Sequence, residues 1–151
     1  MQVFVDTETK SNGYCEWANK GRIALNPKKV ALTETLDKKF AKNTSANTLA
    51  HEMIHWLDSR DPQLRKRVDA FYKIRTAGDK YQASPYGGEY KKDKWSDAYM
   101  GQRYKGTEAQ GEGFEVPTRG MELLLRNPLK FAEDDFEYFS FMVTDVLGLG
   151  K

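Results

Sequence analysis

The segment Leu49-Ala50-His51-Glu52-Met53-Ile54-His55-Trp56-Leu57-Asp58 decides how this chain is read. It contains H-E-x-x-H. On a helix, residues four apart stack one turn above the other, with Cβ atoms about 5–6 Å apart. Two imidazoles so placed can grip one metal ion from the same side. Glu52, beside the first histidine, can then take a proton from a water on that metal. The chain has 2 histidines, and both stand in this motif. A shuffle of the same residues places them so, with a glutamate behind the first, roughly once in a thousand trials. The bland alternative is a helix with two partly exposed histidines bonded to their neighbours. Leu49, Ala50, Met53, Ile54, Trp56 and Leu57 argue against it. They predict a largely buried helix, where two imidazoles and a carboxylate need a reason to be present.

A zinc site needs a third protein ligand. There is no third histidine, which excludes the extended metzincin pattern. Cys15 is a lone cysteine in a predicted hairpin and fits packing better than ligation. Asp58 follows His55 by three on the same helix face, but its side chain is short. The stretch Glu108 to Glu122 is richer, with four glutamates in 15 residues. Most of these fit a solvated acidic face. Glu115 does not, because it stands between Phe114 and Val116 just before an element start at Pro117. Glu115 is the favoured ligand, followed by Glu112 and Glu122. Hydrolysis of a peptide bond also needs a group that stabilises the developing oxyanion. Tyr99, Tyr104 and Arg119 are the candidates, and Tyr104 is the one assigned a catalytic role. Each tyrosine has core or lid packing as its plainer explanation.

Around the motif the pattern is α+β. Gln2 to Asp6 reads as a strand, and Tyr14–Trp17 and Arg22–Leu25 as a hairpin about residues 18–21. Helical spacing recurs over 29–41 and from about Ala46 to Ser59, with Asn43-Thr44-Ser45 offering a cap. Asp61-Pro62 opens another helix, with Leu64, Val68, Phe71 and Ile74 on its apolar face. From Thr76 to Gly113 periodicity is lost in a polar, glycine- and tyrosine-rich stretch. It reads as a functional loop, walling the cleft from about Tyr81 to Tyr104, or as a series of short elements. Pro117 to Leu125 is helical and stops at Asn127-Pro128. A final helix spans about Asp134 to Leu147, with Gly148 past its end.

Composition sets the outer bounds. The chain has 151 residues, the size of a single domain spanning 1–151. Charged residues make up 30% and aromatics 13%, and mean hydropathy is -0.75, a wet-surfaced globular composition. The net charge of +2 gives no global pull toward nucleic acid or an anionic membrane. Short basic clusters such as Arg65-Lys66-Arg67 lie among acids and read as solvated faces. The lysines and Arg103 beside the tyrosines of 81–104 keep nucleic acid as a minor option. One cysteine excludes an internal disulfide and a zinc ribbon. Neither a secretory leader nor a transmembrane run is visible, which predicts a reducing, cytoplasmic setting.

HEMIH with its trailing Trp-Leu-Asp resembles the active-site helix of zincin metallopeptidases. The downstream stretch is similar to zincin-like domains encoded by tailed phages and prophages, near or fused to minor head (head morphogenesis) proteins. The pieces that carry this likeness are Lys94-Trp95-Ser96-Asp97-Ala98-Tyr99, Arg103-Tyr104, Glu115 to Glu122, Asn127-Pro128 and Asp135 to Phe139. It runs from about residue 45 to 147, and the first 40 residues have no counterpart in it. The resemblance implies a zincin fold, with a small twisted sheet beside two helices. It implies Zn²⁺ on His51 and His55, Glu52 as general base, and a downstream glutamate, matched by Glu115, as third ligand. The gluzincin form of this family sets that ligand in an Asn-Glu pair inside a helix. Here Pro117 follows Glu115 by two, so a helix cannot run normally through it.

The leading expectation is therefore a zinc-dependent peptidase acting on a protein or peptide, in a host cytoplasm or associated with a virion. Phage structural proteins are among the implied partners. The alternatives are a non-catalytic zincin-like structural or interaction domain of a particle, and a delivered toxin or effector protease. The intact Glu52 favours catalysis, since a structural metal site has no use for a base.

Overall fold

The computed structural model describes residues 2–11, 13–16, 22–26, 45–85, 87–95, 98–105 and 112–149. It is α+β, as the sequence predicts, with two small sheets and five α-helices among the described residues. The helix expected over 29–41 and the turn at 18–21 lie outside them.

The first sheet holds β1 (Gln2–Val5), β2 (Gly13–Glu16) and β3 (Arg22–Leu25) in the order β1-β3-β2. β2 and β3 form the expected antiparallel pair, with Cys15 opposite Ile23, and β1 adds in parallel on the other side of β3. The central strand buries Ile23 and Ala24 completely. The sheet packs against α1 (Ser45–Arg60), the helix that carries the motif. Gly13 permits this approach. A Cβ there would stand 2.9 Å from Cγ2 of Thr48 in the second turn of α1 and 2.7 Å from the Ala24 carbonyl oxygen.

α1 does not bury the face its composition suggests. Ile54 is buried, but Met53 is 36% and Leu57 40% exposed. The inward residues are Asn47, Thr48, His51, Glu52, His55 and Asp58. A helix that turns a polar stripe inward must satisfy it there, and that stripe is the candidate site.

α2 (Pro62–Arg75) starts as expected. The Asp61 carboxylate accepts from the backbone N–H groups of Gln63 and Leu64, and Pro62 takes the first position. Its buried face is Leu64, Val68 and Tyr72; Ile74, expected in the core, is 70% exposed. The i, i+4, i+8 row wins because Tyr72 carries its hydroxyl to the Gly101 carbonyl, 2.7 Å away, and so satisfies its polar end.

The stretch after α2 resolves into short elements. β4 (Gln82–Ala83), β5 (Glu89–Tyr90), β6 (Gln102–Lys105) and β7 (Glu112–Phe114) form an antiparallel meander, with a 3₁₀ turn at Ala98–Gly101 before β6. Tyr81 stacks under Arg103, 3.7 Å from ring centroid to guanidinium, and Lys91 lies 4.9 Å from the same ring. Cation–π contacts of this kind replace an apolar alternation in these strands.

β7 leads directly into α3 (Val116–Arg126), followed by α4 (Pro128–Asp134) and α5 (Phe136–Phe141). The final helix expected from about Asp134 to Leu147 is present, but it starts two residues later, at Phe136. Asp134 ends α4, and Asp135 breaks the chain and caps α5 by accepting from the Tyr138 N–H at 3.1 Å. A π-helical turn, Met142–Val146, completes the run, and Gly148 follows with φ 69, as a helix terminator does. Leu64, Val68, Trp95, Phe114, Phe131 and Tyr138 are among the residues of the main core, which joins α2, the meander and the C-terminal helices. Arg75 reaches into its edge, forking onto Asp135 with two bonds of 3.0 Å and lying 4.6 Å from the Trp95 ring. Among the described residues no helix is long and apolar enough to cross a membrane.

Candidate metal centre

α1 and α3 pack on one another, and the site lies between them. α1 presents His51, Glu52 and His55, all buried. Glu115 comes from the junction of β7 and α3. Its N–H continues the sheet by donating to the Gln102 carbonyl at 3.1 Å, and its own carbonyl accepts from the Arg119 N–H at 2.9 Å. It thus directly follows the last ladder residue of the strand and takes the cap position of the helix. Pro117 falls in the first turn of α3, where its missing N–H costs nothing. This resolves the conflict with a helical Asn-Glu pair: the helix starts after Glu115 instead of passing through it.

The Glu115 carboxylate, 1% exposed, faces both imidazoles. Oε2 lies 3.3 Å from Nε2 of His51, and Oε1 lies 3.5 Å from Nε2 of His55. Ligand atoms of the three residues all fall within 4.8 Å of one another. Of the ligands weighed from the sequence, the grouping selects Glu115. Asp58, Glu122 and Cys15 do not join it. Asp58 is buried one turn below His55, 3.5 Å from Arg65. Cys15 is buried in the first sheet. Glu112 opens β7 opposite Lys105.

Glu122 does something else. Its Oε1 lies 2.8 Å from Nδ1 of His51, the ring nitrogen that faces away from Glu115. A carboxylate there requires the proton on Nδ1, which leaves the Nε2 lone pair turned toward the centre. The other oxygen of Glu122 is bonded by Arg119, with Arg126 3.8 Å away.

Two hydroxyls hold Glu115. Tyr99, from the 3₁₀ turn, donates to Oε1 at 2.9 Å, and Thr118 donates to Oε2 at 2.8 Å. Tyr104, from β6, is 37% exposed, and its hydroxyl lies 3.4 Å from that of Tyr99. Tyr99 spends its only proton on Glu115 and so is free to accept from Tyr104. The Tyr99 ring lies nearly parallel to that of His51, at 6.4 Å. Arg119 is turned to Glu122 and to the Tyr99 face, 5.6 Å from the ring centroid. Its guanidinium supports the site from behind.

Electrostatics favour a cation here. Burial pushes the Glu115 carboxyl up, but His55, His51 and the Thr118 hydroxyl together pull it well below the ordinary carboxylate range. Burial lowers His55, yet the charge and hydrogen bond of Glu115 raise it above an ordinary imidazole. A charged carboxylate facing two imidazole nitrogens suits a positive charge between them, carried by a proton or by a metal ion. Two imidazoles and one carboxylate are a donor set that suits zinc. Glu52 is held above the ordinary glutamate range by burial, against the pull of His51 and His55. Tyr104 and Tyr99 are pushed above the ordinary phenol range, first by burial and then by the charge of Glu115, so both are neutral donors.

Thr118 and the supporting role of Glu122 were not anticipated. Glu115, Thr118 and Glu122 stand at i, i+3 and i+7, a polar stripe on one face of a helix that also buries Val116, Pro117 and Gly120. That spacing was the available signal. Compared with family models, curated proteins and solved structures, the chain matches none.

Proposed function

We propose that this chain is a zincin-like, zinc-dependent metallopeptidase. The observation that carries the reading is the convergence of His51, His55 and Glu115 within 4.8 Å, with Glu52 buried beside them on the same helix. The motif helix packed beside a small sheet, with the third donor arriving from the start of a second helix, supports a zincin-like arrangement.

His51, His55 and Glu115 would hold the metal. A zinc ion so held acts as a Lewis acid toward a carbonyl and lowers the pKa of water. Glu52 serves as the base, accepting a proton on its carboxylate and returning it to the leaving amine. Burial raises its proton affinity, which suits a group that must take a proton and give it back. Tyr104, neutral and partly open to solvent, offers its hydroxyl to the oxygen on which charge develops. Tyr99 keeps Glu115 aimed. The residues around Tyr81 to Tyr104 set which side chains enter. The likeness to phage-encoded zincin-like domains makes structural proteins of a phage particle the first substrates to test.

The deciding experiment compares metal content by mass spectrometry for wild type, His55→Ala and Glu52→Gln, purified without added metal, with a peptidase screen alongside. About one zinc per wild-type chain is expected, and none in His55→Ala. Glu52→Gln should keep its zinc and lose about 10²–10⁴-fold in hydrolysis. Absence of zinc from wild type even after addition overturns the reading. Undiminished biological activity of Glu52→Gln would assign the centre a structural role.

A further inference from the structure

Arg119 touches the supports of two different ligands. Its guanidinium bonds Glu122, which holds Nδ1 of His51 at 2.8 Å. It also lies 5.6 Å from the centroid of Tyr99, whose hydroxyl holds Glu115 at 2.9 Å. Its backbone N–H donates to the Glu115 carbonyl at 2.9 Å.

We infer that Arg119 is a positioning residue that sets the geometry of the metal centre, orienting His51 through Glu122 and bracing Glu115 through Tyr99. The inference rests on the metal-binding reading above. The physical argument has two parts. First, a carboxylate that orients a histidine is fixed best when its second oxygen is also held, as that of Glu122 is. Arg119 and Arg126 fix it by charge, and Arg119 does so in direct contact. Second, a planar guanidinium can lie against an aromatic face while its edge bonds a carboxylate. An ammonium group is a point charge and cannot serve both partners in that way. Arg119 is thus specified in a way Lys is not, although both would neutralise Glu122.

Outer partners of metal ligands are typically worth about 10–100-fold in metal affinity. The test is zinc affinity by chelator competition on the full chain, for wild type, Arg119→Met, Arg119→Lys and Glu122→Gln, with the visible spectrum of the cobalt-substituted forms as a second readout. Arg119→Met should bind zinc about 10–100-fold more weakly, with an altered cobalt spectrum. Glu122→Gln should show a similar loss, and the double variant should be little worse than the weaker single, because both act through one chain of contacts. Arg119→Lys should recover only part of the affinity. A merely structural arginine predicts the opposite: a lowered unfolding midpoint of the metal-free protein with zinc affinity and cobalt spectrum unchanged. That result in Arg119→Met overturns the inference while leaving the metal centre standing. Wild type that binds no zinc overturns both. If Arg119→Met does not fold, Arg119→Lys decides: wild-type affinity and spectrum in it remove the role.

Discussion

The hydroxyl of Tyr99 donates to Oε1 of Glu115 across 2.9 Å, and so the candidate ligand carboxylate is aimed from the 3₁₀ turn before β6 as well as from α3. Thr118 closes on Oε2 at 2.8 Å from α3. A buried carboxylate with both oxygens bonded has little freedom to rotate, and rotation is what a metal ligand must not do.

Tyr99→Phe tests this support. The ring beside His51 is kept and only the hydroxyl goes. A hydrogen bond to a charged group is worth about 1.5–3 kcal/mol, so zinc should bind about tenfold or more weakly, read by chelator competition. Thr118→Val should act in the same direction. Wild-type affinity in both variants would show that the carboxylate needs neither hydroxyl to stay in place.

The unfolding of Arg75 variants should show how the C-terminal helices are held. Arg75 is nearly buried and forks onto Asp135, reaches Asp93 at 2.9 Å and covers the Trp95 ring. Removing one partner of a buried pair costs about 3–5 kcal/mol, because the other charge stays behind. Arg75→Ala should therefore lower the unfolding free energy, read from urea titration, by an amount toward that range, with a matching fall in the midpoint. Arg75→Lys should recover little, since one ammonium cannot reproduce the fork and the stack. The double variant Arg75→Ala with Asp135→Asn should be more stable than Arg75→Ala alone.

How much of this was legible follows from where each signal lives. His51, Glu52 and His55 are local: their spacing alone places them on one helix face. Glu115 was legible for a different reason, a carboxylate set between Phe114 and Val116 beside a helix start. The inward face of α1 was not, because Met53 and Leu57 look like core residues until the sheet and α3 choose the polar side. Strands of two to four residues, as in the meander after α2, are too short to show alternation. Asn127-Pro128 reads as a stop, yet the Asn127 side chain accepts from the Lys130 N–H and starts α4. The same residues end one helix and cap the next. The bond between Glu122 and His51 joins positions 71 apart, and depends on α3 meeting α1.

The cap at Asp61 gives a pH-dependent expectation. Backbone N–H groups of Leu64 and Gln63 hold its carboxyl below the ordinary value of 3.8. A lowered folded pKa means a contribution that is complete above 3.8 and disappears as pH falls through the folded value. Asp61→Ala should thus melt below wild type at neutral pH, and the gap should shrink in acid as wild type loses its charged cap. Asp61→Asn should lie close to wild type at neutral pH, because Asn is also a good cap. A gap that stays constant down to strongly acidic pH would mean the charge plays no part.

Gly120 carries the last prediction, and it links packing to the metal centre. A Cβ at this position in α3 would stand 2.6 Å from Cγ of Met142, and also against its Sδ, so α3 and the π-helical turn meet with no room between. Met142 is fully buried and has nowhere to go. Gly120→Ala gains helix propensity but must overpack this contact, which costs typically about 1–3 kcal/mol. Destabilisation should win, seen as a lower unfolding midpoint. Met142→Ala alone should leave a cavity and also destabilise, by about 2–5 kcal/mol. Together the two changes should cost less than their sum, since the new methyl group enters the space vacated by the side chain. Gly120 lies between Thr118 and Glu122, so a displaced α3 moves both residues that brace the ligands. Zinc affinity should therefore fall with Gly120→Ala and return with the double variant. A stability loss that recovers without any change in zinc affinity would show that α3 shifts along a direction the centre does not feel.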